Sequence, residues 1–407
     1  MEITYVVSQY PARSETFIAR EMQELVRRNN DVTIGRLRWT DTDAGLAVDG
    51  ATLLPLHLNP LGWLLGVGWG LRHAPDCVAQ MVRHLRTASP SSAIWWRLLI
   101  IALISLSLSR SLSAAPPDHI RAHFLDSESI AAHWMSRLLG VPYSITVHTR
   151  TTRFPDSLLR RIAENASVCA AVSHEVKEQT ERFANLPRSV CLIRNGIRIP
   201  NRAPSRPSPS PEVRLLAVGR LIEKKGFDTL LDACSLVRSW LRPVRCTIIG
   251  DGPLRAALLD QARTLHLSPY VTFRGAQPND HVLQALHQHD LLVMPSRPTD
   301  EGDRDGIPTV LIEAMAHETF VVASDFAGIP ELVDHNVTGR LVPPGNPVAL
   351  ARTLAASADQ PRARSRMETR GRRRIKRDFN LVHEVGTLQS LLHRVEERPP
   401  IGPWQRT

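Results

Sequence analysis

Short β-rich runs alternate with helix-length amphipathic segments along this chain, and the Pro/Ser-rich stretch IPNRAPSRPSPSP (199–211) divides the pattern into two halves. A pair of parallel strands needs a long crossover, usually a helix, so such alternation calls for β-α-β units. In the first half, strands are expected at 2–8, 31–37, 120–124, 143–148, 167–173 and 190–194. A helix carries Phe17, Ile18, Met22, Leu25 and Val26 on one side, with Ser14 placed to cap it, and a second covers 128–139. In the second half, strands are expected at 213–218, 246–249, 271–274, 291–294 and 320–323. The helices between them cover 227–240, 254–266, 280–289 and the segment from Pro308, with a short one near Glu331. Over 199–211, proline and serine dominate and no apolar period survives, as in a semi-rigid linker. The expected organisation is a first domain at 1–198, a linker at 199–212, a second domain at 213–360, and a basic, helical segment at 361–407 packing back toward the first domain. The fold class is α/β with two doubly wound domains, which place their chemistry in the loops that follow strands.

Bulk properties agree with two ordinary cores. The 407 residues exceed what one hydrophobic core usually serves, and 43% hydrophobic with 22% charged residues describes a globular chain. Cys77, Cys169, Cys191, Cys234 and Cys246 form no C-x-x-C pair and read as small buried residues in a reducing compartment. The start, MEITYVVSQYPARSETF, lacks a basic segment followed by an apolar core, so the expected location is cytoplasmic. Two apolar stretches, 61–71 and 98–108, are shorter than the roughly 20 residues that span a bilayer and are expected as core helices. The second, preceded by Trp95, Trp96 and Arg97 and followed by Arg110, also suits a membrane interface.

The net charge of +10 is concentrated at 362–377, where nine Arg and Lys face one acid, Glu368. Such a run is a solvated helix face or a contact for anionic lipid headgroups at the inner face of the cytoplasmic membrane. No zinc-finger spacing, aromatic RNA-binding strand motif or helix-turn-helix accompanies it, so no nucleic-acid partner is expected.

The polar clusters fall where strands should end. AVGRLIEKKGFD (217–228) places Gly219 and Arg220 after a strand, with Lys225 and Gly226 just beyond. Glycines allow close backbone approach, and an Arg with a Lys neutralises a diphosphate. The alternative is two exposed cations at a helix start, where the helix dipole disfavours them. Gly250-Asp251-Gly252-Pro253 reads as a tight turn, or less specifically as a phosphate loop. DEGDRDGIPTVLIEAMA (300–316) passes from an acidic loop into an apolar segment whose one carboxylate, Glu313, needs a partner. Pro308 suits the first turn of that helix, and the free amides there suit an anion. Asp303 and Asp305, like Asp41 and Asp43, have a spacing able to hold a divalent ion, but two cations at a diphosphate make a metal unnecessary. His123 and His148 each close a predicted strand, where a histidine is either structural or functional.

These residues resemble the retaining glycosyltransferases of family four. The resemblance rests on AVGRLIEKKGFD, IIGDGPL, VTFRGA, LLVMPS, DGIPTVLIEAMA, VVASDFAGIPELV, TGRLVPPGN and IRNGI, densest over 213–346, and more loosely on VVSQYPARSETFIAREM, RAHFLDSESIAAHW and YSITVH. The nearest branch is that of colanic acid and other exopolysaccharide glycosyltransferases. The resemblance implies two Rossmann-like domains facing across a cleft, the GT-B architecture, and transfer of a sugar from a nucleotide-diphospho-sugar to a sugar or lipid-linked oligosaccharide hydroxyl, with retention and no cofactor. It assigns Arg220 and Lys225 to the donor diphosphate, Asp305 to the donor sugar and Glu313 to the ribose. Gly219, Gly275 and the backbone of Gly306, Ile307, Pro308 and Thr309 would line the donor, and His148 would contact the transferred sugar. His123, Asn195 and Ser14 are implied at the acceptor side or hinge. Asp305 stands where the family has Glu, and Ser14-Glu15-Thr16 replaces the usual N-terminal glycine-rich loop. A sugar-nucleotide epimerase, or a non-catalytic nucleotide-sugar-binding protein, are the competing readings.

Overall fold

The structure, a computed structural model, describes residues 1–12, 15–38, 47–55, 60–150, 153–186, 189–200, 212–240, 243–299 and 306–396. The chain divides into two compact units, Met1–Arg194 with Leu381–Thr407, and Asn195–Asn380.

The first unit holds a seven-stranded sheet of β1 (Glu2–Val7), β2 (Asp31–Arg36), β3 (Thr52–Leu53), β4 (His119–Leu125), β5 (Tyr143–Arg150), β6 (Val168–Ala171) and β7 (Cys191–Leu192). The order is β3-β2-β1-β4-β5-β6-β7 and every pair is parallel. The second unit holds β8 (Val213–Val218), β9 (Val244–Ile249), β10 (Val271–Phe273), β11 (Leu291–Met294), β12 (Phe320–Ser324) and β13 (Arg340–Val342). Their order, β10-β9-β8-β11-β12-β13, is also wholly parallel. Each sheet reverses its winding once, between β1 and β4 and between β8 and β11, so each is doubly wound with a switch point at its centre. Helices cover both faces, which is why β11 (LLVM) and β12 (FVVAS) are continuous apolar runs and buried throughout. The short strands at 52–53 and 340–342 were not expected from the sequence, because two or three residues carry too little pattern to register.

Several expectations are corrected. The first helix begins at Thr16, with Glu15 rather than Ser14 at the capping position and no side-chain cap bond. Ser14 lies outside the described residues. The apolar stretch at 98–108 is the middle of a helix of 20 residues, Ala93–Leu112, capped by Ser92. Among the described residues it is the one helix long and apolar enough to cross a membrane, and half of it is buried within the protein. Leu98, Ile101, Ile104 and Leu108 join the core of the first unit, together with the fully buried Trp134. The stretch at 61–71 behaves differently. It lies in the Pro60–His73 helix, which buries only Gly66 and Gly70 and leaves its leucines exposed. Composition could not separate the two, because both are apolar all round and only packing decides which one is covered.

The division of the chain also differs from the expected one. The first unit closes at Arg194, ahead of the Pro/Ser-rich stretch, whose residues 201–211 lie outside the described ones. Residues 195–200 belong to the second unit because Ile197 bridges Asn380, donating its N–H to the Phe379 carbonyl at 3.0 Å. Arg372 also donates to the carbonyls of Pro200 and Ala316. The basic segment is split accordingly. Its helix Pro361–Asp378 belongs to the second unit, whereas Leu381–Glu396 belongs to the first. The basic helix is solvated on one face only. Met367, Gly371, Arg372 and Ile375 are buried, and Arg374 pairs with Asp334. In the last helix Leu381, Val385, Leu388 and Leu392 recur every three to four residues and pack with Ile18, Met22 and Leu25.

Candidate functional site

In the second unit the candidate residues gather along the carboxyl edge of the sheet. β8 runs into Gly219-Arg220, then into a short 3-10 turn, Glu223–Lys225, ending at Gly226. Gly226 has φ +64, and a Cβ there would collide with the Pro295 carbonyl just beyond β11, so no larger residue fits. The loop is fastened a second time by Arg297, whose N–H donates to the Lys224 carbonyl at 3.0 Å. The Arg297 guanidinium pairs with Asp228 at 3.1 Å and with Glu223 at 3.6 Å. It thereby takes up two acids near the loop that would otherwise act on Arg220. Arg220 is exposed and has no ion-pair partner among the described residues. The Lys225 stem lies over Gly219, about where a Cβ on that glycine would touch it at 3.5 Å.

The neighbouring strand ends are laced to this loop. The Gly219 N–H donates to the Ile249 carbonyl at 3.0 Å, and the Gly250 N–H donates to the Gly275 carbonyl at 2.9 Å. A Cβ on Gly250 would strike the Gly219 carbonyl, so the G-D-G string serves close approach of β8 and β9. That resolves its reading toward a packed turn. After β11 the chain re-enters the described residues at Gly306 and forms the helix Thr309–Ala316. Pro308 sits at the capping position, with φ −63 and ψ 123, instead of inside the first turn. Its extended ψ means that the helix begins one residue later, leaving the amides of Thr309 and Val310 as first-turn donors. Glu313 is buried within that helix, and its Oε1 accepts from Asn279 Nδ2 at 3.1 Å. Asn279 is therefore a partner the sequence did not point to. Asp303 and Asp305 lie outside the described residues. Among the described residues, no three His, Cys, Asp or Glu side chains converge as metal ligands would.

In the first unit the two predicted histidines belong to a buried polar network that draws on four elements. β1, β4 and β5 are neighbours, and alternate residues of each point to one face. The helix Thr16–Arg27 covers that face and supplies Glu21. Glu21 Oε1 accepts from the Tyr5 hydroxyl at 2.6 Å and lies 3.1 Å from His123 Nε2. Arg121 binds both Glu21 oxygens, at 2.7 and 3.0 Å, and donates to Ser144 and Thr146. His123 Nδ1 and His148 Nε2 are 3.0 Å apart. The order of protons follows from Glu21, which as a carboxylate only accepts. It takes the His123 Nε2–H, so neutral His123 presents Nδ1 as acceptor. His148 then donates from Nε2 and keeps its own Nδ1 as an acceptor. Both strands continue two residues past their histidines, to Leu125 and Arg150. β4 reaches Leu125 through a register shift at Phe124, a non-glycine residue with φ +67. The Phe124 and Phe17 rings lie 4.7 and 4.6 Å from the His148 ring, so the bulge delivers an aromatic wall.

Electrostatics agree with that proton order. Burial pushes the Glu21 carboxyl up, but the Arg121 guanidinium and His123 outweigh it and hold it well below the usual range. Burial holds His148 well below its ordinary value, with His123 acting in the same direction. His123 is also lowered by burial, against the pull of Glu21. Glu128, in the first turn of the Ser127–Leu139 helix, is pushed up by burial to about 7. Sequence reading found His123 and His148 but missed Glu21, Arg121 and Tyr5. A signal was present, since an arginine in the middle of HIRAHFL, a central strand of a parallel sheet, demands a buried carboxylate. Asn195 is the first residue of the second unit.

Comparison with known proteins fits this geometry. Residues 14–199 match the model described as Glycosyltransferase Family 4, and residues 212–359 match that of Glycosyl transferases group 1. The colanic acid biosynthesis glycosyltransferase WcaL of Salmonella typhimurium is 32% identical over 97% of this chain and 100% of its own. The amylovoran biosynthesis glycosyltransferase AmsK of Erwinia amylovora is 34% identical over 45% of each chain. Among solved structures, sucrose-phosphate synthase of Thermosynechococcus elongatus superposes with a TM-score of 0.75 at 18% identity, covering 97% of this chain and 98% of that one. Anabaena HepE in complex with UDP and glucose gives a TM-score of 0.70 at 19% identity, covering 97% of this chain and 100% of that one. Two doubly wound sheets, a cationic glycine loop at one switch point and a full-length relative at this identity lead to one conclusion: the chain belongs to the family-four glycosyltransferases.

Proposed function

We propose that the protein moves a sugar, of hexosyl or related type, from a nucleotide-diphospho-sugar to a sugar or lipid-linked oligosaccharide hydroxyl, with retention, during assembly of an extracellular polysaccharide. The observation that carries this reading is the 219–226 loop, where Arg297 takes up the local acids and Arg220 stands exposed after β8. In this reading Arg220 and Lys225 meet the negative charge that grows on the departing diphosphate, without a metal. The amides of Thr309 and Val310 add donors to the same anion, and Glu313, held by Asn279, takes the ribose hydroxyls. His148, its tautomer set by His123 and Glu21, contacts the transferred sugar. Asp305 contacts the donor sugar. The relatives' printed roles in colanic acid and amylovoran biosynthesis support a polysaccharide product. The proposed setting is the cytoplasmic side of the membrane.

The test is a thermal-shift screen of purified protein against nucleoside diphosphates and nucleotide sugars, with Arg220→Ala beside the wild type. A ligand that binds only the folded state must raise its melting temperature. The expected result is a shift with one nucleotide that Arg220→Ala abolishes. A cooperatively melting protein that shifts with none of them overturns the reading.

A further inference from the structure

The Pro60–His73 helix is apolar along nearly its whole length, yet only Gly66 and Gly70 are buried. These two glycines seat it on the Ala93–Leu112 helix. A Cβ on Gly66 would come within 2.9 Å of the Ser107 backbone nitrogen, and one on Gly70 within 2.5 Å of the Leu106 side chain. The opposite face carries Leu61, Leu64, Leu65 and Leu71, exposed by 65, 69, 45 and 55%. Their spacing of three, four and ten residues from Leu61 lines them up as one stripe. On the neighbouring helix Trp96 and Ile100, one turn apart, are exposed by 56 and 43%.

Two further observations say what covers this stripe. Trp96, exposed by 56%, follows the half-buried Trp95 at the start of the neighbouring helix, beside Arg97. Indole rings concentrate at the boundary between headgroups and acyl chains. Between Asp49 and Asp118 the sequence holds one acid, Asp76, against Arg72, Arg83, Arg86, Arg97 and Arg110. A second copy of the chain would carry the same cationic excess and be repelled, whereas an anionic headgroup layer complements it. The helix has 14 residues, about 21 Å long, against a hydrocarbon core of about 30 Å, so it lies in the interface and does not cross.

We propose that the Pro60–His73 helix docks the protein on an anionic lipid bilayer, with Leu61, Leu64, Leu65 and Leu71 at the acyl boundary and Arg72 among the headgroups. The docking does not depend on which sugar is transferred. A protein that binds vesicles but no nucleotide leaves it standing, and one that binds nucleotide but no vesicles removes it.

The experiment is co-sedimentation of the full chain with phosphatidylglycerol/phosphatidylethanolamine vesicles and with phosphatidylcholine vesicles, alongside Leu61→Gln/Leu64→Gln and Leu64→Trp. Both positions are exposed, so the substitutions leave the fold intact, which circular dichroism verifies. The expected result is binding to the anionic vesicles with a blue shift of tryptophan emission. The double glutamine variant should bind at least about tenfold more weakly, and Leu64→Trp as well as the wild type or better. Absence of binding by the wild type, equal binding by the double glutamine variant, or a concentration-dependent dimer that this variant abolishes would each overturn the proposal.

Discussion

The two units share a topology but build their polar sites differently. In the second unit the candidate groups come from contiguous strand-loop-helix segments, 217–228 and 306–313, and depend on backbone, since glycines at 219, 226 and 250 bring chain ends close together. In the first unit the polar centre is assembled from residues far apart in sequence, with Tyr5, Glu21, Arg121, His123 and His148 meeting in one buried network. The second unit leaves a cation, Arg220, in solvent, while the first withdraws its charges from it. The contrast teaches that an exposed cation on a loop can be replaced at little cost to folding, whereas a buried network drawn from distant segments is bound up with it.

The largest expected effect follows from that difference. Arg121→Met strands the Glu21 carboxylate among buried groups and should cost the first unit about 3–5 kcal/mol, read by denaturant unfolding. Arg121→Met with Glu21→Met should recover much of that loss, because both charges then leave together. If the single variant unfolds like the wild type, the network is not a buried ion pair.

Arg220→Ala tests the opposite prediction. It should lower kcat/KM by roughly 10²–10³ while shifting stability within about 0.5 kcal/mol, since the side chain is exposed. A melting temperature that falls along with activity would erase the distinction between the units.

The pH response sharpens the comparison further. Buried His84 is lowered to about 4, and His119 and His133 to about 3. Because their folded values lie below the ordinary 6.5, the unfolded chain binds protons first, and stability is lost as pH falls from 6.5 toward those values. Glu128 acts in the reverse sense. Its folded value of about 7 exceeds the ordinary 4.5, so its contribution is complete below 4.5 and fades as pH rises to 7. Glu128→Gln should flatten that neutral-side slope, worth up to about 3 kcal/mol. The three histidines lie in the first unit, so hydrogen exchange on acidification should open its sheet before that of the second. Simultaneous opening would argue against the assignment.

The smallest effect is expected at Arg297. Arg297→Met releases Glu223 and Asp228 to the field of Arg220 and Lys225, and should weaken nucleoside diphosphate binding a few-fold, about 0.5–1 kcal/mol, in a titration at low salt. Equal affinity would mean that the clamp acts only on the loop backbone.

What could be read from the sequence follows the same line. Strand-helix alternation gave nearly every central strand, because a parallel sheet buried on both faces forces long apolar runs such as LLVM and FVVAS. Arg220, Lys225 and Glu313 were legible because each lies within a local segment whose glycines, proline and apolar neighbours mark a strand end or a helix start. Glu21 was not, since it looks like any polar residue on an amphipathic helix until Arg121 is placed 100 positions later in the chain and opposite it in space.

The sequence alone therefore determined the two doubly wound sheets and the cationic loop, because these rest on periodicity and on backbone chemistry confined to neighbouring residues. Only the tertiary structure decided which of two apolar helices is core and which is surface, that the basic segment is shared between the units, and that His123 and His148 stand on a buried carboxylate. Each of those depends on contacts between distant segments, and distance in sequence carries no pattern that would foretell them.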